Sequence, residues 1–440
     1  MTVVSTRLED PLAINGCTLD NRLYRAPLLE CAGNGPDAVE TLIEDLEPAA
    51  AAGAGLIHQG ATIVREEGGC AAPNMTRVHD PAFVADLSEL TDVIHDHGGR
   101  IFLQLEHGGL RSMETWHAEY RDAHPDLEQL APSGLPWQLR LLDRLGFLEY
   151  DPHVLTTEEV YELAADFGRA AGHAVAAGYD GIHLAGANMG LIQQFLSPYY
   201  NRRDDEFGGS LAARARFLEV LYEEIRAAVG PDVPIITKIP AETEAPPFVR
   251  RHLTRTDGVE LCQRAAEMGF DALVPVNTSV FWDLSIVRGE YPKRAWNQSA
   301  FQTGYARVFG SRLRARLVAF LSWLESFVYT FEPAWNADYC RTVRERVDVP
   351  ILCEGGIRER ERIDRLLGDA CDMVGIGRPF YAEPRLPARL LDTETKDVAV
   401  ICENCNNCTV PQVTGEAGVC RTPAVLRRRG ELEQADAYDR

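Results

Sequence analysis

Short apolar runs recur along the chain, and between several of them lie stretches whose apolar residues return every three or four positions. Eight runs stand out, at residues 23–29, 55–61, 100–105, 181–185, 234–239, 272–276, 350–354 and 372–376. Between the fourth and fifth, residues 211–228 carry RARFLEVLYEEIRAA, in which Phe217, Leu218, Leu221 and Ile225 share one helical face. Strand and helix alternating in this way predict a parallel sheet, and eight repeats predict an α/β fold of the (β/α)8 TIM-barrel type.

Two stretches break the rhythm. Residues 108–150, with Trp116, Trp137 and the Ala131-Pro132-Ser133 turn, are expected to cover a pocket or to pack the barrel bottom. Residues 296–335 contain ARVFGSRLRARLVAFLSWLESFVYTF, too short and too charged to cross a membrane. They read as a subunit interface, a substrate lid, or a barrel helix with a long approach loop. The organisation expected is a barrel over 1–390 with these two insertions, then a short cysteine-rich extension over 391–440.

Composition narrows the function classes. In 440 residues, 45% hydrophobic and 25% charged positions are ordinary for a globular protein, and no apolar run suits a membrane span. A net charge of −22 repels phosphate backbones, so nucleic acid is not an expected partner. The opening MTVVSTRLEDPL has no basic stretch followed by an apolar one, which points to a cytoplasmic protein. Lysine occurs only at Lys238, Lys293 and Lys396 among 44 basic residues, so arginine supplies the other 41. Of 11 cysteines, four cluster at Cys402, Cys405, Cys408 and Cys420. Their C-x2-C-x2-C-x11-C spacing suits metal ligation better than a disulfide framework. An iron–sulfur cluster, a structural zinc and a metal-free remnant are all compatible with it.

In a TIM barrel the site lies at the carboxyl ends of the strands, and the loops after strands seven and eight often hold phosphate. Those loops read CEGGIRE and GIGRPF. Gly355, Gly356, Gly377 and Arg378 therefore form a candidate phosphate cradle, with backbone N–H groups open to an anion and an arginine fork beside them. The same glycines also suit tight turns without any ligand. No clustered histidine and carboxylate ligands mark a metal-dependent hydrolase, and no G-x-G-x-x-G follows a strand, so a Rossmann nicotinamide domain is not indicated.

The segment GYDGIHLAGANMGLIQQFLSPYYNRRDDEFGGSLAARARF, residues 178–217, resembles the old yellow enzyme family of FMN-containing oxidoreductases. NRLYRAPLL, GLIHQGATIV, GGRIFLQLEHGG and CDMVGIGRPFYAEP add to the resemblance in the family's order, over roughly residues 10–390. The resemblance implies that Pro27 and Leu28 lie along the isoalloxazine ring and that Ala61 sits at its edge. It further implies that Gln104 bonds the pyrimidine side and that Gly355, Gly356, Gly377 and Arg378 hold the FMN phosphate. Lys238 falls where the family usually has an arginine near N1 and O2, a place where a cation stabilises reduced flavin.

Departures from the family pattern bear on the chemistry. Where ene-reductases of the family place a histidine pair, or histidine and asparagine, and then a tyrosine, this chain has Ala185, Asn188 and Gly190. Only Asn188 can still orient a substrate by hydrogen bonding, and the proton donor is left unassigned. Leu29 replaces a residue that commonly bonds flavin O4. Cys31 is read as a small core residue, His183 as a core histidine, and His107 as either a wall residue or a substrate contact. The cysteine tail resembles the four-iron cluster loop of trimethylamine dehydrogenase and 2,4-dienoyl-CoA reductase.

The function expected is FMN-dependent hydride transfer between flavin N5 and a small organic substrate, with NADH or NADPH as the other partner. Two alternatives remain: a dehydrogenase or demethylase passing electrons to an external protein, and an FMN-binding scaffold without turnover. A homo-oligomer is expected from the family alone.

Overall fold

A computed structural model describes residues 6–146, 148–242, 248–281, 283–394 and 398–439. All eight runs form strands of one parallel sheet. They are β1 (Leu23–Arg25), β2 (Leu56–Ile63), β3 (Ile101–Glu106), β4 (Gly181–Leu184), β5 (Ile235–Glu242), β6 (Ala272–Thr278), β7 (Leu352–Glu354) and β8 (Met373–Ile376). In space the strands follow the order β6-β5-β4-β3-β2-β1-β8-β7. A parallel bridge between Leu273 and Ile351 joins β6 to β7 and closes the barrel.

A helix follows each strand: α1 (Ala38–Ala51), α2 (Ser88–Asp96), α3 (Thr157–Ala176), α4 (Leu211–Val229), α5 (Arg255–Met268), α6 (Ala337–Arg344), α7 (Arg360–Leu366) and α8 (Leu386–Leu390). Local chemistry sets their ends. In α4 the Ser210 side chain accepts from the Ala213 N–H, and Gly230, at φ +82°, ends the helix. The face carrying Phe217, Leu218, Leu221 and Ile225 is buried. β1 is shorter than its apolar run. Ala26 makes its last bond, to Ile376, because Pro27 has no N–H to continue the ladder.

The core has two layers, as strand alternation requires. Outward residues such as Ile57, Leu103, Ile182 and Ile235 pack under the helices. Inward residues Tyr24, Leu56, Phe102, Ile236, Val274, Leu352 and Met373 fill the barrel, and a hairpin of Leu12–Ile14 and Cys17–Leu19 contributes Ile14, Cys17 and Leu19 to this inner core. The turn of that hairpin meets the chain just before β5, where Gly16 N–H bonds the Asp232 carbonyl. The barrel's amino end is thereby plugged, and the carboxyl end is left for the site. Among the described residues no helix is long and apolar enough to cross a membrane.

Candidate active site

The barrel interior becomes polar toward its carboxyl end. His58 lies between Tyr24 and His183, with ring centroids 5.0 and 4.7 Å away. Burial pushes both histidines well below the usual range, so they stay neutral. His183 is thus a core histidine, with its Nδ1 3.4 Å from the Gln104 amide nitrogen.

One layer higher, Lys238 on β5 reaches Glu354 on β7, Nζ to Oε2 2.6 Å. Tyr24 donates its hydroxyl to the other oxygen of Glu354 at 3.0 Å. Glu106, at the end of β3, is held by Arg111 at 3.2 Å. Burial raises its carboxyl, while Arg111 and Lys238 oppose the rise. Arg111 also donates to the Asn188 carbonyl at 2.5 Å, which ties the first insertion to the loop after β4. The insertion therefore belongs to the mouth rather than to the barrel bottom.

The rim is where exposure returns. Pro27, Leu28, Leu29, Ala61, Asn188, Gly355, Gly356, Gly377 and Arg378 are all half-buried amid buried neighbours. Ala61 stands at an irregularity in β2, where the register with β3 shifts between Gln59 and Thr62. Gly60 beside it donates its N–H to Glu30 at 2.9 Å. A Cβ there would overlap the Leu28 carbonyl, so this glycine lets the Pro27–Leu28 segment cross β2 closely. The Asn188 side-chain amide makes no hydrogen bond to any described residue, and its backbone takes φ +62°.

At the turns after β7 and β8, the backbone N–H groups of Gly355, Gly356, Gly377 and Arg378 donate to no described residue. Gly355 and Gly356 have φ +99° and +69°. A Cβ on Gly355 would stand 2.6 Å from the Trp335 ring, and one on Gly356 would overlap the Glu332 carbonyl. The turn therefore needs glycine for its own packing, and the free N–H groups remain available to an anion. The guanidinium of Arg378 is engaged elsewhere: it bonds Asn406 and, at 2.9 Å, the Arg288 carbonyl. The fork expected beside the cradle is thus turned toward the cysteine tail.

The tail folds against this rim. Cys402, Cys405, Cys408 and Cys420 line one small cavity with Arg378 and Tyr381. Yet among the described residues no three His, Cys, Asp or Glu side chains converge closely enough to grip a single metal ion. Gln412 Nε2 donates to the Leu29 carbonyl at 2.7 Å, and Tyr381 donates to it at 3.1 Å. The tail also latches to the segment leading into the second insertion, through Glu290 N–H to the Asn404 carbonyl and Ala295 N–H to Asn407 Oδ1, both 3.1 Å.

Cys31, read as a small core residue, lies just beyond β1 and is only partly enclosed. It takes φ +58° and is half-buried, with its thiol pushed up to about 12 by burial. His107 is a buried wall residue; its Nδ1 accepts from the Gly109 N–H at 3.1 Å, and burial pulls it down to about 3. The Glu106–Arg111 pair, the Lys238–Glu354 pair and the tail contacts escape sequence reading. The lone signals for them were Glu106 beside His107 and the rarity of lysine.

Residues 7–306 match the model of the NADH:flavin oxidoreductase / NADH oxidase family. The chain belongs to that family. Its sequence is similar to NADH oxidase of Thermoanaerobacter brockii, 26% identical over 92% of this chain and 56% of the relative. It is also similar to the 4,4'-dithiodibutanoate disulfide reductase of Rhodococcus erythropolis, 25% identical over 98% of this chain and 100% of the relative. The solved structure of histamine dehydrogenase from Rhizobium sp. 4-9 shares the fold, with TM-score 0.71 and 21% identity over 96% of this chain and 53% of that one. The chain spans about half the length of several curated relatives it matches. Membership in this old yellow enzyme family makes FMN the cofactor class of the barrel. The donor set suits it, combining free N–H groups for a phosphate, a cation and an amide in the mouth, and the Pro27–Leu28 wall.

Proposed function

We propose that this chain is an FMN-dependent oxidoreductase acting on a small organic substrate, with NADH or NADPH as the other partner. When bound, FMN supplies a centre that accepts and returns hydride at N5. The observation that carries the reading is the set of free backbone N–H groups at the β7 and β8 turns, at the same barrel end as Lys238 and Gln104.

In this reading Gly355, Gly356, Gly377 and the Arg378 backbone hold the phosphate, and Pro27, Leu28 and Ala61 wall the ring. Gln104 offers an amide to the pyrimidine edge, which needs both a donor and an acceptor. Lys238 supplies positive charge near that edge, moderated by its ion pair with Glu354. Asn188 orients the substrate with its unpartnered amide. With Ala185 and Gly190 in place of larger polar residues, the proton comes from water or from another group at the rim. The sites for nicotinamide and organic substrate coincide, so turnover is ping-pong.

The cysteine tail favours a second element, a four-iron cluster on Cys402, Cys405, Cys408 and Cys420. The C-x2-C-x2-C-x11-C spacing and the one cavity that the four thiols line support that element. Electrons would then leave the flavin for an external protein acceptor, the dehydrogenase direction.

Anaerobic absorbance spectra during titration with NADH and NADPH, together with iron and zinc analysis, test both elements. Flavin bands that bleach with nicotinamide support the oxidoreductase, and about four irons per chain support the cluster. A protein that cannot be reconstituted with FMN overturns the reading.

A further inference from the structure

Hydride added to an organic substrate leaves negative charge that a proton must neutralise, and most acids of the barrel mouth have none to give. Lys238 is bound to Glu354, and Tyr24 donates its hydroxyl proton to the same carboxylate. Burial holds His107 and His183 neutral, without the imidazolium proton that a histidine acid gives. The Tyr199 hydroxyl is buried without a partner, sealed in an apolar cluster that includes Leu110 and Met189. That leaves Glu106.

Glu106 ends β3, two residues beyond Gln104 and four beyond Phe102, so the three side chains share the strand face that lines the barrel. Phe102 fills the inner core, Gln104 stands beside His183, and Glu106 comes out above them in the mouth. Its Oε1 accepts from Arg111 at 3.2 Å. Its Oε2 makes no hydrogen bond to any described residue and keeps contact with solvent. The same nitrogen of Arg111 donates to the Asn188 carbonyl at 2.5 Å. One guanidinium thus sets the carboxyl beside the residue whose amide is unengaged.

Gly190 provides the space. It takes φ −63°, which any residue adopts, yet a Cβ there would stand 3.2 Å from the Glu106 Oε1. A side chain at 190 and the Glu106 carboxyl would compete for one volume, and the carboxyl from β3 fills it. Burial favours the uncharged form of that carboxyl, while Arg111 and Lys238 favour the anion. A group pulled both ways can hold a proton and release it.

We propose that Glu106 is the general acid of this enzyme, giving its proton to the substrate carbon next to the one that takes hydride. The proposal rests on the oxidoreductase reading above. With an alkene conjugated to a carbonyl, the π bond opens, one carbon gains the hydride that NADH or NADPH supplies by way of the cofactor, and its neighbour gains the Glu106 proton. Both electrons come from the nicotinamide. Glu106 is left as a carboxylate on Arg111 and takes a new proton from water through its open oxygen.

The FMN-loaded full chain, reduced anaerobically with NADH, is mixed with cyclohexenone in a stopped-flow instrument. Wild-type reoxidation is expected to slow as pH rises and Glu106 loses its proton. Glu106→Gln should slow that step by about 10²–10⁴-fold against reoxidation by ferricyanide, which puts no proton on carbon, and should flatten its pH dependence. Glu106→Asp should recover part of the rate and the slope, and Tyr199→Phe should behave as wild type. Without substrate, the infrared difference between wild type and Glu106→Gln should show a carboxyl that titrates above the ordinary glutamate value of about 4.3. Should Glu106→Gln fail to fold, Gly190→Ala presses a methyl on Oε1 and should slow the same step by about tenfold. Alkene reduction indifferent to Glu106 and Gly190, a loss that follows Tyr199→Phe, no raised carboxyl in the infrared difference, or a reduced wild type that passes nothing to the alkene would each overturn the proposal and leave the oxidoreductase reading standing. A chain that takes up no FMN would overturn both.

Discussion

Lys238 and Glu354 meet across the barrel mouth, Nζ to Oε2 2.6 Å, from strands that are not neighbours in the sheet. Tyr24 fixes the far oxygen of the carboxylate, so the lysine has a defined place as well as a charge. Breaking a buried pair by removing one member strands the other, at a cost of about 3–5 kcal/mol. Lys238→Met is therefore expected to lower the urea midpoint strongly. In the reconstituted protein it should also slow reduction by nicotinamide about 10²-fold, as losing one electrostatic stabiliser does. Glu354→Gln should keep the Tyr24 bond and release the lysine charge, raising the flavin potential; a photometric redox titration reads the shift.

Asn188 offers a test of substrate orientation apart from cofactor binding. Its backbone is held by Arg111 while its amide is unengaged. Asn188→Ala should leave flavin content unchanged and reduce kcat/KM for the organic substrate by about 10²-fold, measured by stopped-flow oxidation of the reduced protein.

The cradle can be tested at one carbon. Gly356→Ala forces a Cβ onto the Glu332 carbonyl at a backbone of φ +69°, a strain of about 1–3 kcal/mol. The expected result is faster FMN loss on dilution, followed by recovery of flavin fluorescence, with the barrel still folded by circular dichroism.

Glu242 links stability to pH. It is buried at the end of β5, accepts from Leu253 N–H at 2.7 Å and from Gln193 and Ser197 at 2.9 Å, and burial raises its carboxyl to about 7. A carboxyl raised on folding binds its proton more tightly in the folded state. Its contribution is thus complete below the unfolded value of about 4.3 and is lost as pH climbs through 7, by about 3 kcal/mol. Urea midpoints should fall between pH 5 and pH 8, and Glu242→Gln, which cannot titrate, should show a shallower fall. Glu30, pushed up to about 7 by burial against the pull of Arg25, adds to the slope in both proteins.

For the tail, Cys408→Ser is expected to abolish bound iron while flavin bands persist, by metal analysis and absorbance of the anaerobic protein. Chelation of the wild type should remove the same absorbance shoulder.

The barrel was legible because its signals are local. Each strand is an apolar run and each helix has its own periodicity, so β1 through β8 can be placed without knowing what they touch. Even the shortening of β1 is readable in hindsight from Pro27. The positions of Gln104, Lys238, Gly355 and Gly356 at the mouth follow from strand register and the family resemblance. What the sequence could not convey is pairing across distance. Lys238 and Glu354 are 116 residues apart, and nothing local announces that the lysine's charge is shared. Arg378 is the sharper case. Its neighbours Gly377 and Pro379 mark the turn, but the direction of its guanidinium depends on Asn406 and on the Arg288 carbonyl, two partners from segments with separate sequence signals. The helix Arg312–Glu325 of the second insertion is similar: its apolar spacing was plain, while which face meets the body depended on Trp296, Phe301 and Tyr305.

The hold of Gln412 and Tyr381 on the Leu29 carbonyl sets an order of assembly. Leu29 leaves the ribosome well before Gln412, with 383 residues between them. Until that glutamine arrives, the strip of chain that walls the mouth lacks one of its two anchors, so a nascent barrel with all eight strands paired still has an unfinished rim. Cofactor capture therefore waits for the tail to emerge, and a chain cut just before Gln412 would yield a folded barrel that holds its flavin poorly.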